Sequence, residues 1–140
     1  MVAGTRFETA LLDCGSDLSD HQLRWVVFTY CQRFDDWYEQ LEDTFAYLYA
    51  VLIERDESVV ELLPEIRSEV EFAIGEYYES LNEVATALSR LLDADPLSLP
   101  DTLKCIGHAW KAVSLNDVDF EEEEDRELCA LLETARKQVG

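Results

Sequence analysis

The sequence predicts an all-α protein, and three observations carry that expectation. Apolar residues recur in steps of three and four along two stretches of about 30 residues each. No run alternates apolar and polar positions between turn residues, as a half-buried strand would. The chain has only 5 glycines and 3 prolines, and neither occurs between Ser19 and Leu63. With 140 residues, 48% of them hydrophobic and 11% aromatic, the chain can build one packed core, and the disordered class is excluded despite 30% charged residues. A single domain over residues 19–140 is expected. Residues 1–18 precede it, where Phe7, Ala10, Leu11 and Leu12 allow one short apolar-faced helix or a partly ordered segment.

The first long helix is expected from Ser19 to about Arg55 or Asp56. Neither Gly nor Pro occurs between Ser19 and Leu63, and Leu23, Val27, Tyr30, Phe34, Trp37, Leu41, Leu48 and Leu52 form its apolar seam. Ser19 and Gln22 have the spacing of a capping box, with Leu18 and Leu23 placed as a hydrophobic staple. The polar run Glu54 to Ser58 ends the pattern, and Pro64 cannot lie deep in a continuing helix.

A second long helix starts between Ser58 and Pro64, with the seam Ile66, Val70, Ile74, Tyr77, Leu81, Val84, Leu88 and Leu91. At 1.5 Å per residue each long helix measures about 45 to 50 Å, and a short connection makes the pair antiparallel. Gly75 is expected inside this helix at a cost of about 1 kcal/mol, marking a close approach between helices.

Residues 93–100, with two prolines, are a break. A third helix follows from about Pro100 to Val113 with Ser98 as its cap, and a fourth from about Asp119 to Gln138. The expected architecture is a long antiparallel helical hairpin with two shorter helices across its end or side, an irregular four-helix bundle. The first helix is apolar all round near its start (Trp25, Val26, Val27, Phe28) and its end (Ala46, Tyr47, Tyr49, Ala50, Ile53). Its middle sets Asp35, Asp36, Glu39, Glu42 and Asp43 on one side.

Charge narrows the functional classes. Asp and Glu number 31 against 11 Lys and Arg, a formal charge of −20, so direct binding of nucleic acid or of an anionic membrane is disfavoured. The first residues lack the basic start and apolar run of a signal peptide, and no stretch approaches the roughly 20 apolar residues of a membrane span. A cytoplasmic protein is expected. Cys14, Cys31, Cys105 and Cys129 are far apart and mostly within helical patterns, as buried free thiols are.

No catalytic signature is present, and neither a cofactor nor a metal is expected. A di-iron bundle needs a Glu three residues before a His on each of two helices, and neither His21 nor His108 has one. Cys105 and His108 share a helical face but lack two further zinc ligands at motif spacing. There is no nucleophile elbow and no glycine-rich phosphate cradle. The carboxylates of the first helix lie opposite its seam, not in the interior pocket that an all-α nucleotide pyrophosphatase requires. The run Glu121 to Asp125 opens the fourth helix, where the helix dipole favours negative charge, and Arg136 and Lys137 stand at the opposite end.

The second long helix is the more informative. Glu65, Glu69, Glu76, Glu79 and Glu83 fall within one stripe opposite the seam, uninterrupted by a basic residue. Adjacent like charges cost a few tenths of a kcal/mol per pair, so helix stability does not explain the stripe. Phe72 falls in its middle, the pattern of an interface anchor within a charged rim, or else of a residue covered by another helix.

Three classes fit. The first is an inhibitor of immunity, anti-restriction or anti-CRISPR kind, whose carboxylates occupy a basic, nucleic-acid-binding surface of a partner protein. Residues four apart on a helix rise about 6 Å, a spacing that can imitate phosphates. The second is salt adaptation of a halophile-type helical protein, which three Lys against eight Arg would suit. The third is a scaffold or chaperone that dimerises through Tyr38, Tyr47, Tyr49 and Tyr78. The first is favoured. Its contact face is expected to combine the helix-one patch (Asp35, Asp36, Glu39, Glu42, Asp43) with the helix-two stripe (Glu65, Glu69, Phe72, Glu76, Glu79, Glu83).

Overall fold

The computed structural model describes residues 2–75, 79–115 and 119–139, and among these the chain is all-α, with no strand. Seven α-helices occur in the order α1 (Arg6–Cys14), α2 (Asp20–Cys31), α3 (Glu42–Leu48), α4 (Leu63–Ala73), α5 (Glu79–Asp93), α6 (Leu99–Ser114) and α7 (Glu121–Gln138). The expected long hairpin is therefore divided. Neither long helix is continuous, and the core is assembled from shorter helices.

The first long helix stops at Cys31. Residues Gln32–Trp37 tighten into a 3-10 turn, Tyr38 is extended at φ −132° and ψ 88°, and a second 3-10 turn at Glu39–Leu41 leads into α3. Between Thr29 and Tyr38 most residues are aromatic, Asp, Thr or Cys, all weak helix formers, so little intrinsic preference opposes the break. Aromatic packing continues across it. Tyr30, Phe34 and Tyr38 are buried in succession, with ring centroids 6.4 Å and 6.5 Å apart. After α3 the chain widens into a π turn at Tyr49–Ile53 and leaves it through Arg55, whose φ of 54° does the reversing work usually given to glycine.

The second long helix breaks at Gly75. Its φ of 82° ends α4, and a Cβ placed there would meet nothing within 4 Å. Gly75 thus serves backbone conformation; the close helix approach expected from the sequence is absent. Of the seam, Ile66, Val70, Leu81, Val84, Leu88 and Leu91 are buried. Tyr77 lies outside the described residues.

α2 occupies the centre, packed by α5, α6 and α7, while α5 and α6 pair closely, α4 packs on α5 and α3, and α1 lies on α7 and α6. The capping box at its start forms as the spacing predicts: the Ser19 amide donates to Gln22 Oε1 at 2.8 Å and the Gln22 amide to Ser19 Oγ at 3.1 Å. Gln22 Nε2 also donates to the carbonyls of Ala135 and Val139 at 3.0 and 2.7 Å, closing the end of α7. Arg24 ties α2 to the α5–α6 link by donating to the carbonyls of Leu91 and Ala94.

The N-terminal segment is a docked helix. Thr5 caps α1 by accepting the Glu8 amide, and Phe7 and Leu11 are fully buried. Its first turn is closed from a distance: Asp125 accepts the amides of Phe7 (2.9 Å) and Arg6 (3.2 Å). Neighbouring Glu124, 3% exposed, accepts from Tyr30 Oη at 3.1 Å and pairs with Arg33. The acidic run that opens α7 therefore sends two of its carboxylates inward as tertiary links, which the helix-dipole expectation did not contain.

Candidate functional site: two adjoining acidic grooves

The bend at Tyr38 curls the helix-one carboxylates around a concavity. Asp35 and Asp36 come from the 3-10 turn, Glu39 from the next, Glu42 from the start of α3 and Glu54 from beyond the π turn. They surround a groove of about 630 Å³ floored by Phe45, Ala46 and Tyr49. Asp35, Asp36, Glu39, Glu42 and Glu54 are all exposed. Glu54 was not expected there, because the π turn that places it leaves no periodicity in the sequence.

A second groove of about 320 Å³ lies between α3 and α4, with Asp43, Glu65 and Glu69 among its lining. Its apolar lining includes Tyr47, Val59, Leu62 and Ile66, and Ala46 borders both grooves. The helix-one patch and the first half of the helix-two stripe are thus contiguous. Partial burial, and then the charge of Asp43, raise the Glu69 carboxyl above its usual range. No Lys or Arg is found among the described residues that line either groove.

The rest of the stripe is elsewhere. The break at Gly75 separates Glu79 and Glu83 from α4, and neither lines an acidic groove. Glu83 faces α6, where Oε2 meets His108 Nδ1 at 2.7 Å and Oε1 meets Lys111 Nζ at 3.2 Å. Burial opposes ionisation of Glu83, but the hydrogen bonds and charges of His108 and Lys111 outweigh it and hold the carboxyl below its ordinary range. Glu79 lies 3.9 Å from the same Lys111. The stripe that no basic residue interrupts in sequence is therefore partly neutralised in space. Glu76 lies outside the described residues. Phe72 is 63% exposed at the end of α4 and lines neither groove.

The remaining candidates resolve as follows. Of the tyrosines expected at a dimer surface, Tyr38 and Tyr47 are core residues, Tyr49 is 41% exposed in the larger groove, and Tyr78 lies outside the described residues. His108 bonds to Glu83, and among the described residues no three His, Cys, Asp or Glu side chains converge to hold a metal ion. All four cysteines are free thiols; burial raises the Cys31 and Cys105 thiols, the latter to about 12. No helix is long and apolar enough to cross a membrane among the described residues. No protein-family model, curated protein or solved structure matches the chain.

Proposed function

We propose that the chain is an acidic protein-binding inhibitor, of immunity, anti-restriction or anti-CRISPR kind, that blocks a basic, nucleic-acid-binding surface of its target protein. The observation that carries this reading is the convergence of eight carboxylates on two adjoining grooves whose described lining includes no basic residue. Carboxylates about 6 Å apart in water repel by under about 1 kcal/mol per pair, more where partly buried, and the fold leaves that cost in place at Glu69 and Asp43. Lys and Arg side chains of a partner would relieve it. The apolar floors add a non-electrostatic component, since an interface needs desolvated contacts as well as steering charge.

The test is an affinity capture from host lysate at low and moderate salt, comparing the wild-type chain with the triple variant Asp36→Lys, Asp43→Lys, Glu69→Lys. The expected result is retention of a basic nucleic-acid-binding protein by the wild type, release of it by salt or added duplex DNA, and its loss from the variant. Retention of the same proteins by both chains, or of no basic protein by either, removes the assignment.

A further inference from the structure

We propose that a separate cavity, between the N-terminal residues and α6, binds a small monocarboxylate with an apolar tail. It measures about 430 Å³, within the range of about 300 to 1,000 Å³ typical of small-ligand sites. Val2, Leu103 and Trp110 give it an apolar body, and Lys104 and His108 stand on its lining with Lys111, Glu83 and Glu8.

Three observations converge. The first is Gly107, an interior residue of α6 that also lines the cavity. Glycine there costs roughly 1 kcal/mol relative to alanine. A Cβ at this position would make only an ordinary contact with Val2 Cγ2 at 3.8 Å, so packing does not demand glycine. What the missing side chain leaves is room in the cavity.

The second is the charge balance. In a chain of net charge −20, this lining holds two lysines and a histidine against two glutamates. The glutamates are engaged: Glu8 accepts the Gly4 amide at 3.1 Å, and Glu83 is held by His108 and Lys111. Lys104 is exposed and makes no ion pair among the described residues. It is therefore the cation available to a head group.

The third is the orientation of His108. Its Nδ1 lies 2.7 Å from Glu83, which fixes the ring and leaves Nε2 as the ring atom available to a ligand. With the His108 ring doubly protonated, Nδ1–H donates to Glu83 and Nε2–H is a second donor, and the lining carries one net positive charge; a carboxylate seated between Lys104 and Nε2–H accepts from both and neutralises it. A phosphate dianion does not suit the site, because Glu8 and Glu83 stand on the same lining and would repel its second charge.

This site carries a salt signature opposite to that of the acidic grooves. The protein's overall negative field repels an anionic ligand, and salt screens that repulsion, so carboxylate affinity rises with ionic strength, while capture of a basic partner falls. The proposal is independent of the proposed function and can fail separately from it.

The experiment titrates decanoate and decanol into the full chain at about pH 6, reading Trp fluorescence and calorimetry, in about 20 and about 150 mM NaCl. Decanoate should saturate one site and bind more tightly at the higher salt. Decanol, and Lys104→Glu titrated with decanoate, should each lose about tenfold in affinity, or about 1.4 kcal/mol. Gly107→Leu, which fills the cavity, should abolish binding; Gly107→Ala, which helix propensity favours, should weaken it while raising Tm. The proposal is overturned if decanoate does not saturate, if added salt weakens decanoate binding, or if Lys104→Glu and Gly107→Ala both bind decanoate like wild type.

Discussion

Asp125→Asn should loosen the N-terminal helix from the body of the protein. Asp125 accepts the amide of fully buried Phe7 at 2.9 Å, the amide of Arg6 at 3.2 Å and Arg6 Nε at 3.3 Å. The Arg6 side chain is 70% exposed, so its ion pair contributes little. The two amides matter more, because they are first-turn donors of α1 without an intrahelical acceptor, and a hydrogen bond to a charged acceptor is worth about 1.5 to 3 kcal/mol. Asparagine keeps one carbonyl acceptor and turns its amide NH2, a donor, towards the other N–H. The expected loss is about 2 kcal/mol, a fall in Tm of roughly 6 to 10 °C for a chain of this length.

The pH dependence follows from the same contacts. Burial raises the Asp125 carboxyl, but the amides of Phe7 and Arg6 and the Arg6 guanidinium outweigh it, and the carboxyl ionises below its usual range. A carboxylate with a lowered folded-state pKa stabilises fully above its unfolded value of about 3.9, and that contribution disappears as pH falls through the folded value. The difference between wild type and variant should therefore be constant from about pH 5 to 7 and close below about pH 4. Melting followed by circular dichroism measures it, and hydrogen exchange at Phe7 and Leu11 shows whether α1 opens locally. Equal Tm values at neutral pH, or a gap that persists undiminished in acid, would refute the reasoning. The same variant should weaken decanoate binding, since Val2 and Ala3, just ahead of α1, wall the proposed cavity.

Three further outcomes are expected. Gly75→Ala should destabilise by about 1 kcal/mol through its positive φ alone, and Gly75→Asn by less, because asparagine tolerates that backbone region; equal melting of all three chains would remove the conformational account. A thiol reagent in native buffer should leave buried Cys31 and Cys105 unmodified until urea unfolds the chain, while partly exposed Cys14 and Cys129 react first; prompt modification of all four would contradict the burial. In dilute buffer without added salt the chain should melt cooperatively, because its core is continuous from Val2 to Ala135, whereas folding only in molar salt would favour salt adaptation.

Local patterns in the sequence determined much of this molecule. The all-α class, the capping box at Ser19 and Gln22, the cap at Ser98, the starts of α6 and α7 and the burial of most seam residues depend on neighbours within one or two helical turns. Such neighbours are readable in order along the chain. So was the excess of carboxylates on the middle of the first helical stretch, which the structure arranges around a groove.

Continuity and assembly were decided by the tertiary structure. A 3-4 apolar repeat survives a bend at Tyr38 or a glycine turn at Gly75, because the side chains on either side still reach the same core; the repeat therefore cannot report the break. Those two breaks decide the surface. The first wraps Asp35 to Glu42 into a concavity with Glu54, and the second separates Glu65 and Glu69 from Glu79 and Glu83. Which carboxylates remain unpaired was equally beyond the sequence. Glu83 meets Lys111 and His108, Glu124 meets Arg33 and Asp125 closes α1, each across at least 25 positions of chain. Pairings at that distance are set by how helices pack, and local periodicity carries no information about them.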